Sequence, residues 1–394
     1  MRAFRALALL TACAASVGAG TAGGKTNLPA LPPYGGAYQP QTVDERGIWM
    51  LADEDEREVR DSKFLIHDAA LETYVREVLC RTVGQDRCLG VRVYIERVPA
   101  FNANMAPNGK MVVWSGLLLR VRNEAELAAV LGHEFAHFEE RHSLLAYKQR
   151  RLASDVIMWA SFLGNTGYLG NTRSLIQSTA LGSVFQYSRA QETSADLKAF
   201  SYLAASGYRT GAFADIWARI MDEADATAAG RKRRSQRYDQ VAFFSSHPTS
   251  LDRATYLRAL AVQAGDQGEV DDVRFHAAMA AWLPQFLDDQ LKLNDFGGTE
   301  YLLGQLAGSD WTPALLYARG ELYRMRGNPR DLVAAAQFYR DALAKGAMDP
   351  AIYRNLGTTL LRNGDAAGGR QALADYLRLQ PDASDKAMIA TLIQ

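Results

Sequence analysis

His133-Glu134-Phe135-Ala136-His137 sets two imidazoles four residues apart with a carboxylate beside the first. On a helix, residues four apart lie one turn apart on one face, so both rings can reach one ion. The neighbouring Glu134 points to where an activated water would sit. It can take that water's proton and return it to a leaving amine. The chemistry such a group serves is zinc-assisted hydrolysis, with one Zn2+ per chain. Three fixed residues of this kind arise by chance in roughly 1% of chains of this length.

A hydrolytic zinc takes a third protein ligand and keeps a fourth position open. The segment 188–196, Ser-Arg-Ala-Gln-Glu-Thr-Ser-Ala-Asp, offers Glu192 as metal ligand. Asp196, one turn later on the same face, can accept a hydrogen bond from a ligand histidine. By spacing alone the pair is weak, because many helices carry such carboxylates. His142 reads as a supporting or structural residue, and His67 and His276 have no evident partners.

These groups need elements to hold them. Asn123 is a good helix N-cap with Glu126 as its capping-box partner, and the apolar spacing predicts a helix through His133 to about Tyr147. Residues 91–95 and 111–114 read as strands, with a turn at Asn108-Gly109. The strand at 111–114 is expected at a sheet edge, where it would pair with an extended substrate. Residues 41–80 read mostly as helix, as does most of the chain to about residue 260. The basic run 231–234, within a loop expected at 226–238, reads as solvated.

The chain has 394 residues, 48% hydrophobic and 22% charged, with 44 basic and 44 acidic side chains. That balance argues against a nucleic-acid partner. Arg2 and Arg5, the apolar residues 6–10 and the small residues after them read as an export signal. Processing is expected either near residues 19–22 or at Cys13, where Leu10-Thr11-Ala12-Cys13 resembles a lipobox. Cys80 and Cys88 then remain as an even pair, a disulfide or two buried thiols in an oxidising compartment. No apolar run is long enough to span a membrane. The run at 156–163 is far too short.

In the last third, Leu316, Gly320 and Tyr323 recur as Tyr353, Gly357 and Leu360, with a Gly-to-Gly period of 37 residues. This pattern is that of tetratricopeptide helix pairs. Two units are clear and a degenerate third is expected within 270–306.

Several segments taken together resemble the gluzincin zinc metallopeptidases of the BepA/HtpX type. They are Pro99-Ala100-Phe101-Asn102-Ala103, Ser115-Gly116-Leu117-Leu118, Asn123 to Leu127, the zinc motif, Arg141-His142 and Ser188 to Asp196. The match covers roughly residues 91–253 and is similar to the exported branch that carries repeats, without membrane helices. The resemblance implies Glu192 as third ligand. It also implies that His247, in His247-Pro248 with Arg253, lies near the zinc. There His247 would either stabilise the oxyanion or occupy the open position and keep the enzyme latent.

The expected fold is α+β and mostly helical. A signal (1–22) and a leader with a first helix (23–60) precede a zincin-type domain with a small sheet (61–262) and an all-α tetratricopeptide-like domain (263–394). The expected function is cleavage of misfolded or stalled exported polypeptides in the periplasm or another exported compartment, with membrane attachment through Cys13 if it is acylated. Envelope proteins are the expected partners of the repeats. The competing readings are a chaperone-like polypeptide binder with a latent peptidase site, and a hydrolase of a non-protein amide.

Overall fold

The computed structural model describes residues 39–149, 151, 186–235, 247 and 251–394. The export signal, Cys13, most of the leader, the run 156–163 and Pro248 lie outside the described residues.

Two helices open the described chain, α1 (Val43–Arg60) and α2 (Ala69–Val83). Thr42 caps α1 in a reciprocal capping box with Glu45, and the Asp68 carboxylate accepts from the first free amides of α2. Three short strands follow, β1 (Arg92–Glu96), β2 (Ala103–Met105) and β3 (Lys110–Trp114). Their order in the sheet is β1-β3-β2, with β1 parallel and β2 antiparallel to β3.

This order corrects one expectation. The strand at 111–114 is the centre of the sheet, not its edge. The 103–110 hairpin folds β2 back onto it, so both sides of β3 are paired. Residues 64–66 lie along the outer side of β1 through bonds such as Ile66 N–H to Ile95 C=O at 2.8 Å. Among the described residues β2 is the outermost strand on the other side, and its Ala103 and Met105 are buried. Trp114 N–H donates to Asn102 C=O and Ala106 N–H to Lys110 C=O. The alternation of an antiparallel ladder therefore turns the backbone groups of Ala103 and Met105 away from β3.

A single turn, α3 (Ser115–Leu118), leads into α4 (Glu124–Glu139), which carries the His-Glu-x-x-His residues. Asn123 caps α4 by accepting from Glu126 N–H at 2.9 Å. Glu126 does not complete the expected capping box. Its carboxylate reaches Arg122 N–H and accepts a two-pronged bond from Arg219 instead. α4 also stops earlier than expected. Arg141 takes a left-handed φ of 55°, so the helix ends at Glu139 and a separate helical segment begins at His142. Such a residue costs about 1 kcal/mol. Buried contacts of Glu139 with Arg87, Lys198 and Tyr202 offset it.

α5 (Arg189–Ser206) and α6 (Ala212–Gly230) pack on α4, and α7 (Leu251–Gln263) packs on both. α6 runs on to Gly230, so the basic residues 231–234 sit past the helix end, where they are exposed. Gly132, just before the first histidine, faces α2 and α5. A Cβ there would lie 3.3 Å from Thr82 and 3.6 Å from Tyr202, so a bare backbone lets three helices close around the site.

The remaining helices are α8 (Asp272–Met279), α9 (Leu283–Leu291), α10 (Phe296–Ala307), α11 (Pro313–Arg326), α12 (Pro329–Ala344), α13 (Pro350–Arg362), α14 (Ala366–Leu379) and α15 (Lys386–Ile393). α11 pairs with α12 and α13 with α14. The recurring glycines lie at the tightest point of each pair. A Cβ on Gly320 would meet the Tyr339 ring at 2.5 Å, and one on Gly357 would meet Leu373 at 2.7 Å. One hydrophobic core is continuous from Ile66 to Leu322, so α8 to α11 share it with the sheet and the zinc-motif helix. Among the described residues, no helix is long and apolar enough to cross a membrane.

Candidate metal centre

The spacing on α4 does what helix geometry requires. His133 Nε2 and His137 Nε2 approach to 3.1 Å and face one point. α5 supplies Glu192 to the same point, its carboxylate 3.5 Å from each histidine nitrogen. His247 reaches in from the far side. Its Nδ1 lies 3.0 Å from Glu192 Oε1 and 3.3 Å from His133 Nε2. One donor atom from each of these four residues falls within 4.8 Å of all the others. Every one is at most 1% exposed.

Four converging donors are what a single cation would occupy. The electrostatics agree. Burial opposes a charge on His133, yet Asp196 and Glu192 hold its pKa up at about 9. The field that favours a proton there equally favours a metal cation, and metal and proton compete for the same nitrogen. Burial also works against ionised Glu192, but His247, His133 and Arg253 hold its carboxyl well below the usual range. Two imidazoles, a carboxylate and a further imidazole form a nitrogen–oxygen set that suits zinc.

Glu134 sits beside this cluster. Burial raises its pKa, and the facing His247 and His133 only partly offset that. Its Oε1 is buried with no hydrogen-bond partner among the described residues, and His247 Nε2 lies 3.5 Å away. A buried carboxylate oxygen left open in this way is an acceptor waiting for a proton donor.

An outer layer holds the donors. His133 Nδ1 is 3.0 Å from Asp196 Oδ1, one turn beyond Glu192 on α5. Arg253, on α7, forks onto Asp196 at 2.6 and 2.7 Å and reaches Glu192 Oε2 at 2.5 Å. The Tyr256 hydroxyl, one turn further along α7, donates to Asp196 as well. Burial alone would raise the Asp196 pKa, but Arg253 and His133 bring it below the usual value. Tyr187 stacks on the His137 ring with centroids 3.8 Å apart, and its hydroxyl is 3.0 Å from Ser143 Oγ. Phe213 and Trp217, from α6, meet His133 edge-on.

Of the residues read from sequence, the structure brings together His133, Glu134, His137, Glu192, Asp196, His247 and Arg253. Cys80 and Cys88 lie outside the cluster and are joined by a disulfide, with Cα atoms 5.2 Å apart. Tyr187, Tyr256 and Trp217 were not foreseen. A tyrosine one residue before the Ser188 helix cap, and another one turn after Arg253, were the available signals. Neither means anything until the helices are docked.

Residues 66–261 match peptidase family M48. The chain is 29% identical over 202 residues to the mitochondrial metalloendopeptidase OMA1 of Schizosaccharomyces pombe, covering 50% of this chain and 56% of that one. It is 23% identical over 232 residues to the beta-barrel assembly-enhancing protease of Escherichia coli, covering 53% and 44%. It is 31% identical over 161 residues to the metalloprotease YcaL of Escherichia coli, covering 40% and 57%. The chain thus spans about half the length of these relatives. Its matched region holds the whole donor cluster and the Asp196–Arg253 clamp, and by that domain the chain belongs to peptidase family M48, whose metalloproteases use zinc.

Proposed function

We propose that the protein is a zinc-dependent endopeptidase acting on exported polypeptides. The observation that carries this reading is the convergence of His133, His137, Glu192 and His247 beside the open carboxylate of Glu134. His133, His137 and Glu192 are the ligands in the working state. Zinc, when bound, supplies Lewis acidity and brings the pKa of a water toward about 7. Glu134 takes the proton of the attacking water and delivers it to the departing amine. Asp196 fixes His133 through Nδ1, so that Nε2 keeps its lone pair for the metal. Arg253 and Tyr256 hold Asp196 in place.

A polypeptide substrate is supported by the match of residues 66–261 to peptidase family M48. The name of one Escherichia coli relative, the beta-barrel assembly-enhancing protease, supports a place in the cell envelope and a role in the quality of exported proteins. Residues 1–22 act as the export signal, with Cys13 a site of lipid attachment if cleavage occurs there. Residues 61–262 form the peptidase domain. Residues 263–394 form a tetratricopeptide-like domain that is joined to the peptidase domain through the core shared by α8 to α11 and engages envelope proteins, a reading supported by the paired helices α11 to α14 and their recurring glycines.

The position of His247 favours a latent state. Its Nδ1 sits among the ligands, 3.0 Å from Glu192, which supports a role as occupant of the open metal position over oxyanion stabilisation. The same observation supports a second reading, in which the resting protein mainly binds polypeptides. The decisive assay measures casein cleavage by wild type and Glu134→Gln, with and without a chelator, alongside zinc content. The proposal expects stoichiometric zinc in both proteins, chelator-sensitive cleavage by wild type and a 10²–10⁴-fold loss in the variant. Cleavage that survives in Glu134→Gln, or wild type without zinc, would overturn it. His247→Ala is expected to raise activity; a fall would restore the oxyanion role.

A further inference from the structure

The two histidines of α4 are supported differently. His133 turns its Nδ1 directly to a carboxylate, Asp196. Among the described residues, His137 has no carboxylate at the corresponding place. Its Nδ1 lies 2.8 Å from Nδ1 of His142, which is 5% exposed. The other nitrogen of His142, Nε2, lies 3.1 Å from Glu140 Oε2. The break after Glu139 makes this possible. Arg141 reverses the backbone with its left-handed φ, and the His142 ring folds back under the last turn of α4.

Hydrogen positions along this line follow from the donor cluster. His137 aims Nε2 at His133 and Glu192, so Nε2 must keep its lone pair for a metal and Nδ1 must carry the hydrogen. That hydrogen can go only to an acceptor, so His142 Nδ1 must be bare. His142 then carries its hydrogen on Nε2, where the Glu140 carboxylate accepts it. Every donor meets an acceptor in this arrangement, and reversing either ring sets two N–H groups or two lone pairs against each other. Tyr187 stacks flat on His137 and restrains the rotation that the hydrogen bond alone would leave free.

We infer that His142 and Glu140 are positioning residues for the metal ligand His137: Glu140 sets the tautomer of His142, and His142 sets the tautomer and tilt of His137. This rests on the reading above that His137 binds zinc. Glu140 is partly exposed, so the support of one buried ligand is anchored at the surface of the molecule.

The test measures zinc affinity of the full chain by competition with a chromophoric chelator, with melting of the zinc-free protein as a check on folding. His142→Leu removes the acceptor and is expected to weaken zinc binding 10–100-fold. His142→Asn puts an amide oxygen near the lost Nδ1 and is expected to recover most of that loss. Glu140→Ala, at a partly exposed site, is expected to weaken binding several-fold. A purely structural role would lower the melting point of both His142 variants and leave their zinc affinities alike. The inference is overturned if Glu140→Ala binds as wild type, or if the Asn variant binds no better than the Leu variant. His137→Ala separates the two levels. If it keeps full zinc affinity, the ligand assignment itself fails. If it loses zinc while His142→Leu keeps it, only the positioning role fails.

Discussion

Replacing Arg253 by Met tests how the metal cluster is held. The residue is 4% exposed and makes two bonds to Asp196, at 2.6 and 2.7 Å, and one contact with Glu192, at 2.5 Å. Both carboxylates are fully buried. Met fills much of the same volume but leaves the two acids facing each other with less compensation. Removing one partner of a buried ion pair costs about 3–5 kcal/mol, chiefly because the remaining charge stays out of water. In a domain of this size each kcal/mol moves the melting point by about 2–4 °C, so the expected loss is roughly 6–20 °C. Arg253→Lys should fall between, since an ammonium cannot fork onto Asp196 and reach Glu192 together. Asp196→Asn in the Met background removes one uncompensated charge, so the two substitutions should be far from additive. Calorimetry of the zinc-free protein gives the stability term, and chelator competition gives a zinc affinity expected to fall 10–100-fold. A Met variant that melts within about 2 °C of wild type and binds zinc equally well would show that the clamp holds neither the fold nor the site, since the loss would then be under about 1 kcal/mol.

Other perturbations test the frame around the site. Converting Cys80 and Cys88 to Ser opens a short loop that also carries Arg87, the buried partner of Glu139 at the end of α4; chain entropy predicts a loss of about 2–3 kcal/mol in denaturant titration. Glu56 accepts from Arg92, Tyr94 and Asn108. Burial works against its charge, but Arg92, Tyr94 and Asn108 hold its pKa below the ordinary 4.5. Its contribution is therefore complete above that value and is lost as pH falls through the lowered one, so the stability gap between wild type and Glu56→Gln should narrow below about pH 4.5 in acid titrations. Gly357→Ala sets a methyl 2.7 Å from Leu373 and 2.9 Å from Gly369 C=O. Overpacking of this kind costs about 1–3 kcal/mol despite the better helix propensity of Ala, and a variant as stable as wild type would refute the close-approach argument.

What the sequence determined alone is local. His133, Glu134 and His137 share a face because 3.6 residues make a turn, and Asn123 starts their helix because its side chain meets an orphan amide. Glu192 and Asp196 are paired by the same rule, yet nothing in their own segment says that α5 packs against α4. Only their company with the other motifs pointed there. Tertiary structure decided the rest. The strand at 111–114 became the centre of the sheet because pairing is set by which segments fold back, and the 103–110 hairpin supplied a second neighbour. The helix expected to reach Tyr147 stops at Glu139 because Arg87, after α2, and Lys198 and Tyr202, on α5, hold that residue and a left-handed turn brings His142 back to His137. Tyr187, Tyr256 and Trp217 acquire roles only once α5, α6 and α7 are docked. Chemistry that depends on one helical turn is written in residue spacing, whereas chemistry that depends on which elements meet is a property of packing.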